Sequence, residues 1–185
     1  LEFLPSNDEL MERRLHGGSL TRPELSVLIS YSKGILKEDL STSNLPDDTY
    51  LARAIEGAFP ARLLVDYGEE IHAHGLRREI IATQIANDLV NRVGVNFTYR
   101  LISSTGSSMA EVAAAYITIR DIFGLNQQWQ AIEDLDHVID AKVQAQLMVE
   151  IVRLARRACR WLLRNRRHEF DPAQAIAEFQ AGVAE

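Results

Sequence analysis

The stretch Leu76-Arg77-Arg78-Glu79-Ile80-Ile81-Ala82-Thr83-Gln84-Ile85-Ala86-Asn87-Asp88-Leu89-Val90-Asn91-Arg92-Val93, closed by Gly94, decides the fold. Ile80, Ile81, Gln84, Ile85, Asp88 and Leu89 share one face at the 3.6-residue period, with Val93 at its edge. That pattern is an amphipathic helix whose apolar stripe carries two polar members. Beyond Gly94 the helical spacing resumes at Asn96 after a kink and runs to Thr105, before Gly106.

Working outward, Ser6–Glu9, Thr21–Glu24 and Ser108–Glu111 each have the spacing of a capping box, which marks three helix starts. Gly17-Gly18 ends the first of these helices, and Asn44-Leu45-Pro46 ends the second, whose stripe is Leu25, Leu28, Ile29, Ser32, Ile35, Leu36 and Leu40. Asp47-Asp48-Thr49 predicts a helix reaching Glu56, and another is expected over 61–74. The third capping box predicts a helix to Phe123, followed by one over 127–136 and a long one over 141–167. Asp171-Pro172 opens a last helix through Gln180. No segment alternates with period two. The expected fold is all-α, an irregular multi-helix bundle of about nine or ten helices.

Composition narrows the class without naming a function. The 185 residues suit one large domain, with 46% hydrophobic and 25% charged residues. Twenty Lys+Arg against 26 Asp+Glu give a net charge of −6, which argues against a nucleic-acid partner. The single cysteine excludes an internal disulfide framework and fits a reducing compartment. No apolar run approaches the ~18 residues that a membrane span requires, so no membrane partner is expected. The chain opens Leu1-Glu2-Phe3-Leu4-Pro5 without an initiator methionine, which leads us to expect a piece of a longer polypeptide.

Most chemistry-bearing residue types have ordinary explanations. Gly17-Gly18 lacks the spacing of a dinucleotide or phosphate loop. Glu69, Glu70, His72 and His74 suggest a metal cluster, but residues two apart on a helix diverge by about 200°. A solvated helix end is the better account, and no metal is expected. Cys159 lies among apolar helix residues, where a buried inert thiol is the default. Ser103 to Ser108 read as a helix end and the next cap, and Trp129 and Trp161 as core or interface anchors. No catalytic residue is assigned.

Two constellations stay open. Arg153, Arg156, Arg157, Arg160, Arg164 and Arg167 form a stripe on the long helix, the candidate interface. Its readings are a solvated face, a docking face for an acidic surface and, last, a nucleic-acid contact. Thr83, Asn87 and Asn91 step four residues at a time down one helix. They are either a solvated row or a buried polar seam that fixes how helices dock, with Tyr99 and Arg100 as possible partners.

The words of the sequence then carry a resemblance. Leu20-Thr21-Arg22-Pro23-Glu24-Leu25-Ser26-Val27-Leu28 and Asn44-Leu45-Pro46-Asp47-Asp48 resemble segments of the very large bacterial NAD-dependent glutamate dehydrogenases. So do Leu76 to Thr83, Ala86 to Arg92, and Trp161-Leu162-Leu163-Arg164-Asn165-Arg166, in the same order. The resemblance spans roughly residues 1–168 and points to the family's helical C-terminal region, cut just after the catalytic core. It implies a parent chain that oxidises L-glutamate to 2-oxoglutarate and ammonia with NAD, in the cytoplasm and as a homo-oligomer. The family's substrate lysine, catalytic aspartate and glycine-rich NAD loop have no counterpart here, so no cofactor is expected to be held by this segment itself.

The implied partner is the upstream catalytic core of the same chain. Residues 1–20 are expected to be a linker and short helix from that core, 21–168 the main bundle and 169–185 a terminal helix. Three functions remain open: a brace for the core or for subunit contacts, a part of a cofactor or regulatory amino-acid site, and an independent helical adaptor.

Overall fold

The computed structural model describes residues 3–166 and 170–183. Among them are nine α-helices, two 3-10 segments and no strand, in agreement with the all-α expectation. The three capping boxes form as read: Ser6, Thr21 and Ser108 each accept from the backbone N–H three residues on, and Glu9, Glu24 and Glu111 bond back to the cap. These reciprocal bonds satisfy donors that a helix start would otherwise leave unpaired.

The bundle is assembled around α6 (Met109–Ile122), nine of whose 14 residues are buried. Its run Val112-Ala113-Ala114-Ala115-Tyr116-Ile117-Thr118-Ile119 is enclosed almost without interruption. A helix that is apolar on every side has to be surrounded, and small alanine side chains let neighbours approach its backbone closely. On one flank lie α2 (Arg22–Thr42), α4 (Arg77–Val93) and the 3-10 helix Leu51–Ala58. The other flank is built from α5 (Asn96–Thr105), α7 (Leu125–Glu133), α8 (Ala141–Asn165) and α9 (Pro172–Val183).

Helix α4 fills the place its pattern demands. Ile81, Ile85, Leu89 and Val93 are buried, together with Ala82, Ala86 and Val90, so its core face is wider than the predicted stripe. Gly94, at φ +87°, breaks the chain into α4 and α5. The first turn of α4 also ties down the end of α2. Arg78 donates to the Ser41 carbonyl at 3.2 Å and to the Ser43 carbonyl at 2.6 Å, and pairs with Asp47 at 2.6 Å. Its guanidinium thus serves carbonyls that the helix end leaves without intrahelical partners.

Two expectations need correction. The segment predicted as α-helix from Asp47 to Glu56 is the 3-10 helix Leu51–Ala58, preceded by a 3-10 turn at Leu45–Asp47. Asp48 accepts from the N–H groups of both Tyr50 and Leu51 at 2.9 Å, and Phe59-Pro60 halts the segment after eight residues. Short segments bounded in this way settle into the tighter winding. On α2, only Leu36 and Leu40 of the predicted stripe are buried, while Leu25 and Ile35 are exposed. The helix is longer than the surface that covers it.

Candidate docking face and half-buried charge network

Helix α8 presents its residues in two opposed groups. Ile151, Ala155, Cys159, Leu162 and Leu163 are buried against α5, α6 and α7. Arg153, Arg157, Arg160 and Arg164 are exposed on the other side, with Arg156 half-buried at the margin. By the helical period the predicted stripe spans about 100° of arc, so the arginines share one face. Arg167 lies outside the described residues.

The stripe is not uniformly engaged. Arg153 pairs with Glu150 one turn back, and Arg164 donates to the Ser104 carbonyl at 3.0 Å, fastening α8 to the end of α5. Among the described residues, Arg156, Arg157 and Arg160 make no ion pair. Trp161 flanks this group, 51% exposed, with its ring edge-on to Phe179 of α9 at 5.8 Å. Behind it an apolar groove of about 430 Å³ runs between α6, α8 and α9, lined by Ile122, Phe123, Trp161, Phe179 and Val183 among others. Arg166, next to the predicted stripe, pairs with Glu178 at 2.7 Å and lies over the Phe179 ring, which holds α9 in place.

Of the two readings left open for the polar row on α4, exposure favours the solvated one. Thr83 and Asn91 are exposed and Asn87 is half-buried, so within this chain the row is not an enclosed seam. Thr83 spends its hydroxyl on the Glu79 carbonyl at 2.6 Å, and Tyr99 and Arg100 are exposed. The reason is rotation: the helix is turned so that Ile81, Ile85 and Leu89 take the core.

The interhelical polar network lies elsewhere. Asp88, one of the two polar members of the α4 stripe, accepts from Arg120 of α6 at 2.9 Å. Arg120 also donates to Asp121 through Nε at 2.7 Å and Nη2 at 3.1 Å. Asp121 accepts in turn from the Tyr50 hydroxyl at 2.8 Å. Burial works against the guanidinium's charge, but Asp121 and Asp88 outweigh it and raise the Arg120 pKa. The Tyr50 hydroxyl is pushed up to about 12, by burial first and by Asp121 second. Nearby, the Tyr116 hydroxyl is buried with no hydrogen-bond partner among the described residues, its ring edge-on to Phe97 at 5.8 Å. Sequence reading missed the network because its partners stand 32 and 71 positions apart; the carboxylate of Asp88 on an apolar face was the available signal.

Tyr50, Arg53, Glu56, Arg120 and Asp121 line a cleft of about 310 Å³ beside this network. Its best-buried charges already satisfy one another, which leaves Arg53 and Glu56 at its rim. Arg53 lies over the Tyr50 ring, and Glu56 meets His72 at 3.2 Å. His74 is separate from that pair, accepting from the Leu76 N–H at 3.0 Å. No group of three or more His, Cys, Asp or Glu side chains among the described residues is gathered to hold a metal ion. Cys159 is fully buried, and burial pushes its thiol pKa up, as an inert core thiol requires. Thr105 and Ser107 bond each other at 3.0 Å at the end of α5, and Ser108 caps α6. No described helix is long and apolar enough to cross a membrane.

Comparison with known proteins gives this geometry its family. The family described as "Glutamate dehydrogenase, C-terminal" matches residues 17–185. A protein of Pseudomonas aeruginosa named "NAD-specific glutamate dehydrogenase" is 54% identical over 184 residues, covering 100% of this chain and 11% of the relative. Proteins of the same name from Halomonas elongata and Mycobacterium tuberculosis are 49% and 33% identical, over 90% and 99% of this chain. The chain thus spans about a tenth of the length of the relatives it matches. With a match across nearly its whole length and an all-helical fold, the chain belongs to the glutamate dehydrogenase C-terminal family.

Proposed function

We propose that this chain is a non-catalytic helical module of a larger NAD-dependent glutamate dehydrogenase, which docks through the arginine face of α8 on the catalytic core or a neighbouring subunit. The carrying observation is the grouping of Arg156, Arg157 and Arg160, which make no ion pair among the described residues, with a half-exposed Trp161, opposite the face that α8 buries. Arginine and tryptophan are the residues most often found at the energetic centre of interfaces, where the guanidinium reaches carboxylates bidentately. In a chain of net charge −6, a basic face is the one suited to an acidic partner surface. The parent enzyme oxidises L-glutamate to 2-oxoglutarate and ammonia with NAD, as a cytoplasmic homo-oligomer. The names of the relatives support the NAD-dependent glutamate dehydrogenase part of this reading, and the tenth of their length that the chain covers supports its being one module.

The test compares charge reversal in two settings. Arg157→Glu with Arg160→Glu should leave the melting temperature of this 185-residue chain within about 2 °C, since exposed substitutions change stability little. In the parent enzyme the same pair should loosen assembly, seen as a lower unfolding temperature and a shifted sedimentation profile. An unchanged parent would remove the docking face.

A second reading is favoured by the cleft beside Tyr50 and Arg53: that the module contributes to a cofactor or regulatory site. Calorimetric titration of the chain with NADH and then glutamate separates the two. A docking module gives no saturable heat and no turnover; a saturable signal lost in Arg53→Ala would support the cleft instead.

A further inference from the structure

On the reading above, that the chain is one module of a longer dehydrogenase, we infer that helix α1 (Asn7–Leu15) docks on the upstream catalytic core through Met11 and Leu15. Four observations converge on it. None of the nine residues of α1 is buried. Two of its three apolar side chains are left exposed, Leu15 at 84% and Met11 at 66%, while Leu10 is half-buried; Phe3, ahead of the helix, is 72% exposed. Met11 and Leu15 stand one turn apart on the same face. A helix this short is marginal in water without a packed apolar face, because few hydrogen bonds follow a costly nucleus. Its own sequence supplies that face and the bundle does not use it.

The attachment of α1 to the bundle is slight and directional. Arg13 pairs with Glu24 at 2.9 Å, and Glu24 is the same side chain that accepts from the Thr21 N–H to cap α2. The helix ends in a Schellman closure: Gly18 N–H donates to the Arg13 carbonyl at 2.7 Å and Gly17 N–H to the Arg14 carbonyl at 3.1 Å. Gly17 sits at φ +74°, where a side chain would be strained. A Cβ on Gly18 would meet the Arg13 carbonyl oxygen at 3.1 Å. The turn therefore sends α1 off at a set angle, with Arg13 as a strut on one side and Met11 and Leu15 free on another.

The family match supplies the occupant. It begins at Gly17, the residue that closes α1, so the helix lies just ahead of the stretch that the C-terminal family matches. The relatives hold about nine-tenths of their length outside the matched stretch, so a large partner surface exists in the same polypeptide. Helix α1 is then the junction piece: it packs with the core, and Gly17-Gly18 joins it to the bundle.

Hydrogen exchange read by mass spectrometry tests this in both forms of the protein. Amides of residues 10–15 should exchange quickly in the 185-residue chain and roughly tenfold or more slowly in the parent enzyme. In the parent, Leu15→Asp should abolish that protection while α6 amides keep theirs. Equal protection of α1 in the chain alone would place it in the bundle and overturn the inference, as would rapid exchange in the parent. Protection in the chain alone that grows with concentration would mark a contact between copies, also against the inference. Because Arg157 and Arg160 are intact throughout, failure here is distinguishable from failure of the α8 docking face.

Discussion

The Tyr50 hydroxyl donates to the Asp121 carboxylate at 2.8 Å, joining a 3-10 segment to the central helix across 71 positions of sequence. Asp121 is held for this bond by its neighbour Arg120, whose remaining arm reaches Asp88 on α4. One guanidinium between two carboxylates therefore sets how α4, α6 and the 3-10 helix meet.

Removing the guanidinium should cost more than removing any one of its partners. Arg120→Ala leaves Asp88 and Asp121 partly buried without their shared cation, so a loss of about 3 kcal/mol is expected in urea unfolding. Asp88→Asn should cost about 1–2 kcal/mol. A loss under about 0.5 kcal/mol for Arg120→Ala would show that the network is screened by water.

Alkaline pH tests the Tyr50 bond with a definite sign. A folded pKa of about 12 against an ordinary 10 means the contribution is complete below pH 10 and fades as pH rises through about 12. Urea midpoints of the native chain should therefore fall more steeply between pH 10 and 12 than those of Tyr50→Phe. Parallel curves would contradict the assignment.

Overpacking should expose how tightly α6 is enclosed. Ala115 is fully buried, so Ala115→Leu should destabilise by about 1–3 kcal/mol or more. The polar row on α4 gives the contrast: Thr83→Ala and Asn91→Ala should each stay within about 0.5 kcal/mol, because both are exposed. A loss above 1 kcal/mol at Asn91 in this chain would restore the seam.

Cys159 offers a test of core opening. Native protein should be unreactive towards a thiol-specific disulfide reagent and should release one equivalent on unfolding in urea. Rapid labelling in buffer would mean that α8 separates from α6 readily.

Sequence by itself determined where the capped helices begin and where glycine closes α5. Ser6, Thr21 and Ser108 find their capping partners within three residues, and Gly106 closes α5 at φ +71°. Those signals are local, so they survive without knowledge of the neighbours. The arginine face of α8 was equally legible, since helical period alone places its members together.

Tertiary packing decided the rest. That α6 is the central helix depends on which surfaces close over its alanines, and that Asp88 meets Arg120 depends on the rotation of α4 against α6. The same rotation left Thr83 and Asn91 outside, although their spacing is as regular as that of the core residues. Spacing identifies a face of a helix, but burial of neighbouring apolar area chooses which face turns inward.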